Sequence, residues 1–327
     1  MSNEKLAWGI LGTGNIARKF CSGLISSNFG FPAAVGSRNE QSAAEFSERF
    51  AISRFYPAYA EVIEDPHIDA VYISLPNSLH YEWTIRALHA GKHVLCEKPI
   101  ALSAPEAEAM FEAARFARRV LIEGFMYRAH PLTREVVERV RMFAIGDVKL
   151  VRTSFCYQTN RVAGNVRFDS TLGGGALMDV GCYCINFSLM LAGSEPLDVA
   201  ASRVMHANGI DELVAASMTF PNGLLAAFTC GMTVDADNSA YVSGTRGYIE
   251  IPRPWKPQTE GAKYRLAATL ESPSVQEFTI SPGVDLFALE ADEFAMTVLR
   301  GQSPLVTPEE SIATMRVLDQ IRLGHPL

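Results

Sequence analysis

The stretch Leu6–Ala17, LAWGILGTGNIA, constrains the fold of this chain more than any other. An apolar run, Leu6–Leu11, ends in Gly12-x-Gly14-x-x-Ala17, and a helical pattern follows. Gly12 permits a sharp turn, Gly14 removes a side chain where pyrophosphate approaches, and Ala17 lets the helix pack on the strand. This pattern predicts a dinucleotide site; a bare glycine-rich turn is the alternative. The free N–H groups of the helix N-terminus would face the phosphates, with contacts from Gly12, Thr13, Gly14, Asn15 and Ile16.

The two halves of the chain differ in their patterns. Residues 1–125 alternate short apolar runs with helical patterns, which predicts a parallel sheet covered by helices on both faces. After a helix at 131–143, strands are predicted at 148–157, 212–220, 224–232, 240–243, 248–251, 264–270 and 275–280. Strands without intervening helices form a mostly antiparallel sheet, with Asn222-Gly223 as a hairpin turn. Helices at 287–299 and 308–323 complete the chain. We predict two domains, 1–125 and 126–327, with the C-terminal helix able to pack back on the first.

Composition excludes several classes of function. The net charge is −7 without a basic block, which argues against nucleic acid as a partner. The N-terminus, MSNEKLAWGIL, has no signal-peptide pattern, and no apolar run is long enough to span a bilayer. Six cysteines are scattered without a C-x-x-C pair, which predicts reduced core thiols, a cytoplasmic protein and no metal site.

The residues after the second predicted strand bear on the choice of dinucleotide. Sites for NAD commonly carry an acidic side chain about there, which binds the adenosine ribose hydroxyls. This chain has Ser37 and Arg38 instead. A guanidinium and a hydroxyl attract a 2′-phosphate that a carboxylate would repel, so we predict NADP as the cofactor. The alternative is that Arg38 is a solvated loop charge.

Two further predicted strands end in polar segments, Leu75-Pro-Asn-Ser-Leu-His80 and Glu97-Lys98-Pro99. Ligands of open α/β sheets bind beyond the carboxyl ends of the strands, so both segments face one crevice. The Lys98 ammonium could hold ribose hydroxyls or lower the pKa of a neighbouring group. For His80, a surface position at the start of a helix is the alternative. The predicted cofactor contacts here are Leu75, Pro76, Asn77, His80, Glu97 and Lys98.

A glycine-rich segment in the second half, Leu172–Ile185, reads LGGGALMDVGCYCI. Its glycines free the backbone for a close approach, and a helix is predicted to run on to about Leu191. Asp179 and Tyr183 are four residues apart and would share one face of that helix. A carboxylate and a phenol in an otherwise apolar helix need polar partners if they are buried. The alternative is a helix N-terminal charge beside a packed tyrosine.

Four segments together resemble the Gfo/Idh/MocA oxidoreductase family: GILGTGNIA, AVYISLPNSLHYEWTIRALHAGKHVLCEKP, EGFMYRAHP and NVRFDSTLGGGALMDVGCYCIN. The resemblance covers most of the chain. Within the family it is greatest to the group of dimeric dihydrodiol dehydrogenase, NADP-dependent xylose dehydrogenase and glucose–fructose oxidoreductase. Two positions depart from the family pattern. Many relatives have histidine where this chain has Tyr183, and an aromatic residue is common at Val166.

The resemblance implies an α/β fold, with an N-terminal Rossmann dinucleotide-binding domain. The C-terminal domain would be α+β, with a large, open, mostly antiparallel sheet that often forms an oligomer interface. Lys98 and Tyr183 would be the central catalytic pair, Asp179 would contact substrate, and Arg167 would lie near the nicotinamide of NADP. The expected enzyme is an NADP-dependent oxidoreductase acting on a sugar or related cyclic polyol, as a homodimer or homotetramer and without a metal.

In the expected reaction, hydride passes between the nicotinamide and a substrate carbon while Tyr183 exchanges the hydroxyl proton. A free tyrosine has a pKa of about 10, which a neighbouring Lys98 ammonium would lower. Two alternatives stay open. One is an enzyme that keeps NADP bound and recycles it, as an aldose–aldose oxidoreductase or redox-type glycosidase. The other is a non-catalytic sugar or NADP sensor on the same fold.

Overall fold

The chain divides into two compact units in the computed structural model, which describes residues 4–268 and 274–324. The first unit takes in the residues up to Ala129 together with Val284–Pro308. The second takes in His130–Gly283 and the residues from Glu309 on. This differs from the single predicted boundary near residue 125, because periodicity locates a helix in the chain but does not say which sheet it packs on.

Fourteen strands and nine α-helices form in the described residues. The strands are β1 (Leu6–Leu11), β2 (Gly30–Gly36), β3 (Arg54–Tyr56), β4 (Ala70–Ile73), β5 (His93–Glu97), β6 (Leu121–Gly124), β7 (Val148–Cys156), β8 (Asp198–Met205), β9 (Asp211–Thr219), β10 (Leu225–Gly231), β11 (Ala240–Gly244), β12 (Gly247–Ile251), β13 (Ala262–Ala268) and β14 (Ser274–Ile280). The helices are α1 (Asn15–Leu24), α2 (Glu40–Phe50), α3 (Tyr59–Glu64), α4 (His80–His89), α5 (Ala104–Ala117), α6 (Pro131–Arg141), α7 (Cys182–Ala192), α8 (Leu286–Arg300) and α9 (Pro308–Leu323).

The first unit contains a sheet of six parallel strands in the order β3-β2-β1-β4-β5-β6. Its strand β1 is buried along its whole length, as a strand covered by helices on both faces should be. The direction of winding reverses between β1 and β4. Open α/β sheets bind ligands at such a switch point, beyond the carboxyl ends of the strands. The predicted Rossmann fold is confirmed.

Helix α8 belongs to the core of the first unit, although the sequence assigns it to the second domain. Phe294 of α8 lies against Trp8 of β1, with ring centroids 4.8 Å apart, and both rings are buried. Asp292 of α8 accepts hydrogen bonds from the Ser27 hydroxyl and, at 3.0 Å, from the backbone N–H of Asn28. This helix therefore completes the unit that begins at β1.

The second unit contains a sheet of eight strands in the order β14-β13-β12-β11-β7-β10-β9-β8. Neighbouring strands are antiparallel except for β7 and β10, which run parallel. Helix α7 packs on β7 and β10. Side chains alternate along β9, where Val214 is buried and Ala215 is exposed, as in a sheet with one covered face. The predicted mostly antiparallel sheet is confirmed.

Three short elements, β3, α3 and β8, are missing from the sequence prediction. Strand β8 has no buried residue and therefore lacks the apolar alternation that marks a strand, but its backbone pairs with β9. The predicted elements otherwise occur with ends shifted by one or two residues. The predicted strand end at Leu270 lies outside the described residues.

One helical segment, 170–192, is long and apolar enough to cross a membrane by length and composition alone. The sequence prediction excluded any run of that length and is corrected on this point. The most apolar part of the segment is 78% buried inside the structure, which is typical of a core helix. The six cysteines are buried as well, and none forms a disulfide.

Candidate active site

The turn between β1 and α1 has the geometry that its glycines predict. Gly12 has a φ of +100°, and a Cβ atom there would lie 3.1 Å from Ser74 Oγ. Gly14 is exposed, and a Cβ atom there would meet nothing within 4 Å. It caps α1 without a side-chain hydrogen bond, and the first turn has no acidic residue. The amides of this turn are therefore open to an anionic ligand.

The segment after β2 presents one cation to solvent. Ser37 is buried, and its hydroxyl accepts a hydrogen bond from the Asn39 backbone N–H at 3.3 Å. Arg38 is exposed, and its guanidinium makes no hydrogen bond or ion pair with the part of the chain that the structure describes. An exposed guanidinium beside a dinucleotide turn is suited to a phosphate group.

His80 is not the surface residue that the sequence offers as an alternative. Its side chain is fully buried, with Nδ1 2.8 Å from the Pro99 carbonyl and Nε2 2.9 Å from that of Leu75. Burial lowers its pKa, so the ring is neutral and donates to one of these two carbonyls. The surface alternative is wrong, because the first residue of α4 is buried behind the turn at 77–79. The contact of this segment with the cofactor stays a prediction. His80 instead joins the loops after β4 and β5.

The segment around Lys98 is fixed by buried acidic side chains at the ends of β5 and β6. The backbone N–H of Lys98 donates to Glu97 Oε2 at 3.3 Å, and that of Ile100 donates to Glu123 Oε1 at 2.9 Å. The Tyr72 hydroxyl donates to the other oxygen of Glu97. The Lys98–Pro99 peptide bond is cis. The half-buried Lys98 side chain therefore extends from a tightly held backbone.

In the second unit, Asp179 is the centre of a polar cluster. Its Oδ2 accepts a hydrogen bond from the Tyr157 hydroxyl at 2.7 Å and another from Arg167 Nε at 2.8 Å. The Asp179 carboxylate is the main cause of a raised pKa at Arg167. Burial, followed by the charge of Asp179, raises the pKa of Tyr157, so this phenol keeps its proton and acts as a donor.

Tyr183 lies one turn further along the same segment. Its side chain is 3% exposed, and its ring centroid lies 5.3 Å from that of Phe155 and 6.0 Å from that of Trp255. Its phenol contributes to the raised pKa of Arg167, so the two groups are within electrostatic reach. Residues 177–181 form a π-helical turn rather than the predicted α-helix, a distortion common at functional sites.

The glycines before this turn allow other residues of the second unit to approach the backbone closely. Gly175 has a φ of +121°, and a Cβ atom there would lie 2.6 Å from Asp211 Oδ1. Asp211 in turn accepts a hydrogen bond from the Leu177 backbone N–H at 2.6 Å, and the N–H of Gly175 donates to the Arg167 carbonyl at 2.9 Å. The close approach predicted from the glycines thus brings Arg167 to Asp179.

The predicted residues therefore form two groups, one in each unit. In the first unit the dinucleotide turn, Ser37, Arg38 and the segments at 75–80 and 97–98 all follow parallel strands. In the second unit Asp179, Arg167 and Tyr183 are neighbours. Sequence reasoning missed Tyr157 and Glu123. The signal for Glu123 was a carboxylate ending an apolar strand, whereas Tyr157 carried none. Within residues 4–268 and 274–324, no three His, Cys, Asp or Glu side chains are grouped as metal ligands.

Two family models match the chain. One, described as an oxidoreductase family with an NAD-binding Rossmann fold (GFO_IDH_MocA), matches residues 6–125. The other, the GFO/IDH/MocA C-terminal domain, matches residues 133–250. Both matches lie within the predicted domains.

Named proteins are similar along the whole chain. D-xylose 1-dehydrogenase (NADP+) 2 of Haloferax volcanii is 33% identical, over 97% of this chain and 96% of its own. The crystal structure of aldose–aldose oxidoreductase from Caulobacter crescentus, complexed with glycerol, has a TM-score of 0.89 at 29% identity, covering 98% of this chain and 99% of that one. A 3-ketoreductase from Actinomadura kijaniata, in complex with NADP and TDP-benzene, has a TM-score of 0.88 at 29% identity, covering 98% of each chain.

Proposed function

Because this chain belongs to the Gfo/Idh/MocA oxidoreductase family, as its motifs predict, we propose that it is an NADP(H)-dependent oxidoreductase of sugars or related cyclic polyols. The reaction interconverts a substrate hydroxyl and a carbonyl. The observation that carries the proposal is the hydrogen-bonded cluster of Asp179, Arg167 and Tyr157, because Asp179 and Tyr183 are polar residues of one apolar helical segment.

NADP fits the residues of the first unit. The open amides at Gly14 suit a pyrophosphate, and the exposed guanidinium of Arg38 suits a 2′-phosphate. The similar xylose dehydrogenase is named for NADP+, and the similar 3-ketoreductase binds NADP. When bound, this cofactor supplies the acceptor or donor of hydride. The protein must then orient the substrate and move one proton.

We assign the proton transfer to Tyr183. In oxidation its phenolate oxygen takes the proton of the substrate hydroxyl, and in reduction its phenol returns it. The Lys98 ammonium stabilises the phenolate form by its positive charge. Asp179 accepts a hydrogen bond from a second substrate hydroxyl and so orients the sugar ring. Arg167, which the family resemblance places near the nicotinamide, holds the Asp179 carboxylate through their ion pair.

The test is turnover of NADPH or NADP+ against a panel of sugars and diols. On any substrate found, we expect Tyr183→Phe to lose about 10²–10⁴-fold in turnover. The ring is kept, so packing on Phe155 and NADPH binding should change little. Tyr248→Phe, a half-buried tyrosine on β12, is the matched control. A Tyr183→Phe enzyme within about threefold of the parent, where chemistry limits the rate, would refute the assignment.

Lys98→Met tests the second member of the pair. We expect a loss of the same kind, because methionine keeps the length of the side chain but not the charge. The double variant with Tyr183→Phe should lose less than the product of the two single losses, since the residues act as one unit. Independent, multiplicative losses would contradict a joint role.

A second candidate is an enzyme that retains NADP and recycles it between two sugars. The similarity to aldose–aldose oxidoreductase, at a TM-score of 0.89, favours this variant of the same chemistry. Desalted protein would then carry NADP, and two sugars would exchange oxidation states without added cofactor. Protein that emerges free of nucleotide and depends on added NADP(H) would support the simple dehydrogenase or reductase.

Location and assembly form the last part of the proposal. We expect the protein in the cytoplasm, because six buried cysteines without a disulfide suit a reducing compartment. We expect at least a homodimer, joined through the exposed face of the second unit's sheet.

A further inference from the structure

Glu290 is a buried acidic side chain that the proposed reaction does not use. It lies on α8, in the core of the first unit, with 7% of its surface exposed. Neither carboxyl oxygen has a hydrogen-bond partner among the residues that the structure describes. An isolated carboxylate is one of the most costly groups to bury, so such a group either finds a partner or gives up its charge.

The Glu290 carboxyl lies beside the strand end that carries Lys98. A Cβ atom on Gly124 would be 3.6 Å from Glu290 Oε1 and 3.5 Å from Glu97 Cα. Glu290 and the end of β5 therefore both lie within van der Waals reach of Gly124. Glu97 is itself buried and accepts the hydrogen bond from the Lys98 backbone. Two buried acidic residues, Glu290 and Glu97, thus lie near the Lys98 segment.

A small cavity adjoins the same carboxyl. Its volume is about 20 Å³, enough for one water molecule. Glu123 and Arg128 contribute to its wall, and most of the remaining wall is apolar. Arg128 also donates a hydrogen bond to the Leu305 carbonyl. The cavity is therefore large enough for a water molecule to act as a neutral polar partner of Glu290.

The charges around Glu290 favour its protonated form. Burial, followed by repulsion from the Glu97 carboxylate, raises the pKa of Glu290 well above its usual range. On α8 itself, Asp292 binds Asn28 and Glu293 binds Gln302. The charged or titratable side chains of the neighbouring elements are Arg18 and Lys19 (both exposed) and Cys21 on α1, His93, Cys96 and Glu97 on β5, Glu123 on β6, and Tyr127 and Arg128 at 126–129, whereas β2 has none.

We propose that Glu290 is an uncharged carboxylic acid at neutral pH and positions the segment that carries Lys98. An uncharged neighbour lets Glu97 keep its charge and its hydrogen bond to the Lys98 backbone. The O–H group of the uncharged Glu290 donates a hydrogen bond to one water molecule in the cavity. When Glu290 ionises in alkaline solution, two buried carboxylates repel each other and the contact with Lys98 weakens. The part of this inference that concerns Lys98 rests on the proposed function.

Urea unfolding between pH 6 and pH 9 tests the acid itself, on the parent, Glu290→Gln and Glu48→Gln. In this range the unfolded chain has lost the Glu290 proton and the folded protein retains it, so stability falls as pH rises. The folding constant of Glu290→Gln, divided by that of the parent, should therefore rise about tenfold per pH unit until Glu290 ionises. The exposed control on α2 should show a constant ratio.

A constant ratio for Glu290→Gln would overturn the proposal. So would failure of that variant to fold, because glutamine has the shape of a neutral carboxylic acid and likewise offers one donor group and one acceptor oxygen. Infrared spectra provide a second measurement. At pH 8 the parent should show the C=O band of a protonated carboxylic acid, and Glu290→Gln should lack that contribution. A parent spectrum without the band also overturns the proposal.

NADPH titration over the same pH range tests the effect on the Lys98 segment. In the parent, affinity should fall in alkaline solution, and in Glu290→Gln this fall should move to higher pH. Affinity lost at the same pH in both proteins would overturn the positioning role. If neither protein binds NADPH at any pH, while the stability ratio behaves as expected, the uncharged state of Glu290 is supported and the proposed cofactor is contradicted.

Discussion

A single oxygen atom, Asp179 Oδ2, receives hydrogen bonds from two side chains. Two donors on one oxygen fix the orientation of the carboxylate, and both are charged or polar groups from different parts of the second unit. Orientation matters for a group proposed to meet a substrate hydroxyl, because small displacements from the productive geometry reduce the rate. Tyr157 therefore belongs to the candidate site as much as Arg167 does.

For Tyr157→Phe we expect kcat/KM to fall about tenfold, which corresponds to about 1.4 kcal/mol and to the loss of one hydrogen bond to a charged group. The ring and its packing remain, so the thermal midpoint should change little. Tyr248→Phe on the same sheet is the control and should keep parental kinetics. Parental kcat/KM in Tyr157→Phe would show that Arg167 alone orients Asp179.

Arg38 determines the preference for NADP in our proposal. For Arg38→Ala we expect the dissociation constant of NADP to rise tenfold or more, because a hydrogen bond to a charged group contributes about 1.5–3 kcal/mol. The constant for NAD should hardly change. Arg49→Ala removes an equally exposed charge from α2 and is the control. Fluorescence titration measures all six pairs of protein and cofactor, and equal affinities of the parent for NADP and NAD would contradict the idea.

Candidate site residues could be proposed from the sequence where a polar side chain interrupts or follows an apolar run. Lys98 and Asp179 are polar residues next to apolar runs, and such residues need a reason to be there. Tyr157 and Glu290 could not be predicted, because their significance comes from partners distant in sequence. The burial of His80 could not be predicted for a related reason, because it depends on the Leu75 and Pro99 carbonyls that the ring meets in the fold.

At the scale of elements, the turn between β1 and α1 has one glycine that the backbone requires and another that leaves room for a ligand. Gly12 is required by the backbone, at φ +100°, whereas Gly14 has ordinary backbone angles and open space beyond its Cα. Glycine is thus present at the two positions for different reasons. Substitutions should reveal the difference.

Gly12→Ala should reduce the free energy of unfolding by about 1–3 kcal/mol, because alanine is strained at this φ. Gly14→Asp should leave stability equal or slightly higher, since aspartate caps a helix and suits its dipole. The same carboxylate repels a pyrophosphate, so NADPH affinity should fall more than tenfold. Thermal unfolding and NADPH titration of both variants check this. A Gly14→Asp protein that binds NADPH normally would place the phosphates elsewhere.

Helices and strands could be predicted where burial of one face or both faces gives a regular pattern of apolar residues. Strands such as β1 and β9 carry a continuous or alternating apolar pattern, and both were predicted. Strand β8 has no buried side chain, so only its hydrogen bonds to β9 define it. The π-helical turn at 177–181 also left no pattern, since it depends on the contacts of Gly175 with Asp211.

At the scale of the whole molecule, the exposed face of the second unit's sheet suggests a dimer. Ala215 lies opposite Ser202 and Thr229 on the neighbouring strands, and all three are exposed. A flat face of small side chains suits packing against the same face of a second copy. Light scattering at micromolar concentration should therefore give at least twice the mass of one chain.

Ala215→Arg should reduce that mass to one chain, because a long charged side chain prevents close packing of the two faces. Gln41→Arg adds the same charge to an exposed position on α2 and should leave the mass unchanged. A parent protein with the mass of one chain would contradict the expected dimer.

The two-part composition of the first unit has a consequence for its synthesis on the ribosome. The Trp8 ring packs on Phe294 of α8, which is synthesised much later. Residues up to 308 must leave the ribosome before the unit is complete. At about 5–20 residues per second, roughly 10–35 s separate Ala129 from Pro308. During that interval the nascent nucleotide-binding half exposes apolar surface, which makes it a client for chaperones. For the same reason, an expression fragment that stops at residue 129 should aggregate, whereas one that carries 284–308 on a flexible linker should stay in solution.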